Sequence, residues 1–95
     1  MLSFEWDENK NATNIKKHKI SFEEASTVFL DDEAILIEDP DHSDEAEDRF
    51  LLLGMSFNAK ILIVCHCYRN NDETIRLISA RKANKREIKQ YFERR

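Results

Sequence analysis

A single glycine and a single proline in 95 residues leave almost no material for flexible linkers or low-complexity tails. Phosphate-cradling loops and dinucleotide fingerprints need several glycines at fixed spacing, so neither motif is present and no cofactor is expected. Cysteine is scarce too. Cys65 and Cys67 lie two apart in a strand-like run, a spacing that makes no stabilising framework and fits a reducing compartment. No apolar run approaches the length of a membrane span, and the opening MLSFEWDENK lacks the basic-then-apolar layout of a secretory signal. The expected setting is the cytoplasm, with no membrane partner. A hydrophobic content of 41% lies in the globular range, so residues 1–95 read as a single domain with its own core.

Charge, by contrast, is abundant and sorted by position. Residues 1–50 carry 15 acidic side chains against 5 Lys/Arg, whereas residues 51–95 carry 4 against 10. The net charge of −4 therefore conceals a cationic surface suited to a polyanion or an acidic partner, the plainer reading being one solvated helix face with strand-end charges.

Patterning gives an order of elements. Leu2 to Trp6 alternates as a short first strand, and Asp7 then caps a helix over about Asn9–Lys17, turning near Lys19. Ser21-Phe22-Glu23-Glu24 has the form of a capping box, which predicts a second helix from Phe22 to about Leu30 with Phe22, Ala25, Val28 and Phe29 on its buried stripe. After the short apolar run Ala34–Ile37 comes an acidic segment, Glu38 to Asp48, read as a solvated loop around Pro40. Three β-rich runs follow, Phe50–Phe57, Lys60–Tyr68 and Glu73–Ala80, with turns at Asn58-Ala59 and Asn70-Asn71-Asp72. A last helix begins at Ala83 or Asn84, with Ile88, Tyr91 and Phe92 facing inward. The class is α+β: an antiparallel sheet of about four main strands with two N-terminal helices and one C-terminal helix. Lys60–Tyr68 is apolar at nearly every position and should be central, covered on both faces.

Three blocks, FEWDENKNATNIKKHKISFEEASTVFLD, EDRFLLLGMS, and IRLISARKANKRE followed by Tyr91, together span almost the whole chain. In their order and spacing the sequence resembles the BrnT family of type II toxin–antitoxin toxins, which have a RelE-like fold. Three turn positions depart from the family pattern: Lys19 and Ala59 stand where glycine is usual, and Asp32 where proline is usual. The resemblance implies a metal-independent endoribonuclease that arrests growth by cutting RNA. It also implies a ribbon-helix-helix antitoxin as partner, contact with DNA only through that antitoxin, and a homodimer or a heterotetramer with two antitoxins.

That chemistry needs a base near the 2′-hydroxyl, cations against the phosphorane and a proton donor for the leaving oxygen. Arginine suits the second task, because its planar fork binds phosphate and never loses its charge. Arg76 is the leading candidate, since a charge inside the apolar run Thr74–Ile78 must have a partner or face a site. Arg81, Arg69 and Arg49 are further candidates near strand ends, where rim charges are also common; on strict alternation Arg76 and Arg81 fall on opposite faces unless the strand bends near Ala80. Glu47 is a partner for Arg49. His18, at the end of the first helix, is the candidate acid or base, its plain alternative being a helix cap. Lys82, Lys85 and Arg86 are candidate RNA-backbone contacts. Tyr91 is read as core before proton donor. His66 opposes Cys65 and Cys67 across its strand, so the three do not converge on a metal, and the acidic segment lacks the glycine and terminal glutamate of a calcium loop. A second class stays open, a non-catalytic module or decayed toxin that docks RNA or protein through the same basic helix.

Overall fold

In the computed structural model, which describes residues 2–38 and 48–93, the chain forms β1 (Ser3–Glu5), α1 (Glu8–His18), α2 (Phe22–Thr27), β2 (Ile35–Glu38), β3 (Phe50–Met55), β4 (Ile61–Arg69), β5 (Thr74–Lys82) and α3 (Lys85–Phe92). The acidic stretch 39–47, with Pro40 and Glu47, lies outside the described residues. Helix starts follow their local chemistry. Asp7 Oδ1 accepts from the backbone N–H of Asn9 at 2.7 Å and of Lys10 at 3.2 Å. Asn84 and Glu87 close a reciprocal capping box on α3, each side chain accepting from the other's backbone N–H at 2.9 Å.

The predicted box at Ser21 closes only on one side. Ser21 Oγ accepts from Glu24 N–H at 3.0 Å, but the buried Glu24 carboxylate turns away to accept from Ser56 Oγ at 2.7 Å, with Lys60 Nζ 3.7 Å off. Glu24 thereby ties α2 to the β3–β4 hairpin instead of its own N-terminus. The helix is also shorter than its pattern suggests: it ends at Thr27, tightens to a 3-10 turn over Val28–Leu30, and leaves Leu30 80% exposed.

The sheet order is β1-β5-β4-β3-β2. Strands β2 to β5 form the antiparallel meander that their short turns dictate. β1 is different, pairing parallel with β5 through Ser3–Thr74, Phe4–Ile75 and Glu5–Arg76. The sheet is thus mixed and five-stranded, not antiparallel with about four strands. The physical reason is the crossover: α1 and α2 carry the chain over one face to the far edge, and the meander returns β5 to lie beside β1 in the same direction.

Alternation sorts the sheet into two faces. On one, Ile20, Phe22, Ala25 and Val28 pack on Leu52, Leu62, Val64, Ile75, Leu77 and Ala80. On the other, Tyr91 of α3 packs on Leu53 and Ile63. β4 is covered on both sides, as its unbroken apolar run demands. The inward stripe expected on α3 reduces to Tyr91, because Ile88 and Phe92 are 36% and 60% exposed. Tyr91 is core with its hydroxyl donated to Asp31 Oδ2 at 2.6 Å, and the same oxygen accepts from Met55 N–H at 2.8 Å. Gly54 is required where that strand meets the 3-10 turn, since a Cβ there would lie 2.8 Å from Val28 Cγ1 and 2.9 Å from Ala34 Cβ. Among the described residues no helix is long and apolar enough to cross a membrane.

Candidate active site

Short α3 reaches only part of its face, so the stretch of sheet beside it keeps its polar side chains in reach of solvent. β5 crosses that stretch and carries an extra residue: Cys65 pairs with Ser79 while His66 pairs with Leu77, which leaves Ile78 unmatched. The bulge reverses the parity of the strand. Leu77 and Ala80 both enter the core under α1 and α2, and Arg76 and Arg81 consequently project from the same opposite face. The opposition that strict alternation requires is removed by this one residue.

Arg76 lies in a row that crosses the sheet. Glu5 on β1 flanks it on one side and Cys67 on β4 on the other. Phe50 pairs with His66 on the face that α1 and α2 cover, so alternation sends Arg49, one residue earlier, to the α3 face on the other side of Cys67. Two strand spacings put the Cα atoms of Arg76 and Arg49 about 10 Å apart. Arg69 sits on the diagonal from Arg76, at about 7–8 Å, because its register partner is Thr74. Register and alternation therefore set Arg76, Arg69 and Arg49 on one face of the sheet around Cys67, which is itself 1% exposed. Glu5 Oε2 accepts from Arg76 Nη1 at 2.8 Å, and the two side chains keep 40% and 31% of their surface.

Arg81 shares the face but is held differently. It forks onto Glu87 through Nη1–Oε1 at 2.8 Å and Nη2–Oε2 at 2.9 Å, linking the end of β5 to the first turn of α3. The hydrogen bonds to Glu87 hold the Arg81 guanidinium above its ordinary range, and Arg81 holds the Glu87 carboxyl below its own. Lys85 and Arg86 are exposed on that same turn, while Lys82, the register partner of Leu62, projects to the side of the sheet that α1 and α2 cover.

His18 stands apart from the row. It is half-buried in a cleft of about 330 Å3 along the β5 edge, lined also by Lys10, Thr13, Lys17, Ile78 and Ser79. Asn14 fixes the depth of that cleft. Its side-chain amide donates to Ala80 O at 2.8 Å and to Ile20 O at 2.9 Å, and its carbonyl accepts from Ala80 N–H at 3.1 Å. His66 faces the core between Phe29 and Tyr68, opposite the two thiols as expected. Sequence reasoning missed Glu5, the Ile78 bulge and Ser79. The only signal for Glu5 was a charge in a short alternating strand, and nothing in a three-residue strand names its neighbour.

A family model described as "Ribonuclease toxin, BrnT, of type II toxin-antitoxin system" matches residues 6–87. The 1.1 Å crystal structure of the Brucella abortus ribonuclease toxin, BrnT, is similar in fold, with a TM-score of 0.67 and 24% identity over 90% of this chain and 100% of that one. A comparison with curated proteins gave no match.

Proposed function

From the premise that the chain belongs to the BrnT ribonuclease toxin family of type II toxin–antitoxin systems, we propose that it is an endoribonuclease that cleaves RNA without a metal, arrests growth, and is silenced by a ribbon-helix-helix antitoxin. The observation that carries this reading is the row Glu5–Arg76–Cys67–Arg49, with Arg69 on its diagonal, on a stretch of sheet that α3 leaves in reach of solvent. Arginines clustered on one rigid strand surface suit a pentavalent phosphorane, whose added negative charge needs fixed cations that do not reorganise. In this reading Arg76, Arg69 and Arg49 hold the scissile phosphate. Arg81 positions α3 through Glu87 so that Lys85 and Arg86 follow the RNA backbone, with Lys82 reaching it from the strand end. His18 and the lysines of its cleft receive the strand where it passes over the β5 edge.

The test is cleavage of a labelled structured RNA by the full chain in EDTA, beside Arg76→Ala checked for an unchanged circular dichroism spectrum. Cleavage by the parent and its loss in the variant are expected. A second reading, a non-catalytic binding module, is favoured by the commitment of Arg81 to Glu87. RNA binding without cleavage by the parent would establish it, and cleavage by both proteins alike would remove Arg76 from the site.

A further inference from the structure

We propose that Glu5 is the general base of the cleavage reaction; this rests on the ribonuclease reading above and deepens it. On the row, the Glu5 carboxylate and a phosphate-binding arginine share a hydrogen bond, Oε2 to Arg76 Nη1 at 2.8 Å. Both ends of that contact keep solvent access, so it is a surface pair that a substrate can approach from above. The other carboxylates with defined partners are engaged elsewhere. Asp7 caps α1, Glu24 holds Ser56, Asp31 holds Tyr91, and Glu87 is forked with Arg81. Among the described residues, Glu5 Oε1 makes no hydrogen bond, which leaves that oxygen for a proton.

Geometry makes the pairing productive. Arg76 donates to Glu5 through Nη1, and the same planar fork carries further N–H donors that a phosphate can take. A phosphate oxygen held there lies next to the carboxylate, and the 2′-hydroxyl that attacks the same phosphorus is necessarily its neighbour. Glu5 then takes the 2′-hydroxyl proton as the 2′-oxygen bonds to phosphorus. The bond from phosphorus to the 5′-oxygen breaks, and that oxygen leaves as an alcohol with a proton taken from water. Glu5 returns its proton to water. The products are a 2′,3′-cyclic phosphate and a 5′-hydroxyl, with no redox change and no metal in the balance.

The experiment compares the full-length parent with Glu5→Gln and Glu5→Asp. It measures single-turnover cleavage in EDTA from pH 5 to 9, binding of a 2′-O-methyl RNA that resists cleavage, and thermal melting. Glutamine still offers Arg76 a hydrogen-bond acceptor, so a merely structural role predicts a near-parental rate. A base role predicts a loss of about 100-fold or more in Glu5→Gln, with melting and binding of the 2′-O-methyl RNA preserved and the acidic limb of the pH–rate profile abolished. Glu5→Asp, which keeps the charge on a shorter arm, is expected to recover part of the rate together with that limb, and would carry the comparison if the glutamine variant folded poorly. A Glu5→Gln rate within about threefold of a cleaving parent, against the 100-fold or more of a lost base, overturns the assignment and leaves the ribonuclease reading standing, as does a loss of rate matched by an equal loss of binding. Failure of the parent to cleave overturns both.

Discussion

A histidine with no exposed surface is shielded from the water that would stabilise its charged form, and His66 is such a residue. Its Nδ1 lies 3.1 Å from Val64 O, which can only accept, so Nδ1 carries the hydrogen, while the ring packs edge-on to Phe29 at 4.8 Å. Burial lowers its pKa from the ordinary 6.5. The unfolded chain takes up a proton near 6.5 and the folded one resists it, so the stability from neutral His66 is complete above that pH and drains away below it. Denaturant unfolding is expected to show stability falling between pH 7 and 5, by at most about 1.4 kcal/mol per pH unit from this residue. His66→Phe, which keeps an aromatic ring beside Phe29 and Phe50, should flatten that slope; an unchanged slope would refute the account. Alternation along Lys60–Tyr68 was enough to separate His66 from Cys65 and Cys67. The aromatic ring set around it was not legible, because Phe29 and Phe50 arrive from other elements.

At the scale of elements, the turns show how the chain manages with one glycine. Lys19 and Ala59, at positions where glycine is usual in the family, hold left-handed φ values of 64° and 61°. The altered turns therefore keep the geometry and accept the strain that a Cβ brings there. Lys19→Gly and Ala59→Gly are each expected to raise stability by up to about 1 kcal/mol, the relief of strain being partly offset by a looser unfolded chain. Gly54→Ala is expected to do the opposite, costing about 1–3 kcal/mol through overpacking against Val28 and Ala34. Thermal melts of the three variants check both signs. Helix caps at Asp7, Ser21 and Asn84 and the meander turns were legible because each is a local contract between a few neighbouring residues. The end of α2 was not, since Glu24 and Thr27 answer to Ser56 and Phe57 across the fold.

For the molecule as a whole, the division of charge between the two halves of the sequence was plain, and so was the cationic character of β5 and α3. Which arginines would meet was not. That depends on the parallel placement of β1 and on one unmatched residue in β5, neither of which leaves a periodic trace. The basic first turn of α3 gives a prediction at this scale. Replacing Lys85 and Arg86 together by alanine should weaken RNA binding at all sequences. It should also lower the slope of log affinity against log salt by about 0.7 per cation removed, as titrations from low to moderate salt would show. An unchanged slope would mean that RNA does not follow α3.

The two halves of the row come from opposite ends of the chain: Glu5 and Arg76 are 71 positions apart, and the Asn14–Ala80 clasp that seats α1 on β5 spans 66. A ribosome delivers Glu5 well before β5. An unfinished polypeptide therefore has no assembled site, and any product truncated before β5 lacks one altogether. On the reading proposed here, the chain is harmless to the message that encodes it until β5 has been made, and acquires its cutting edge only when that strand slides in beside β1.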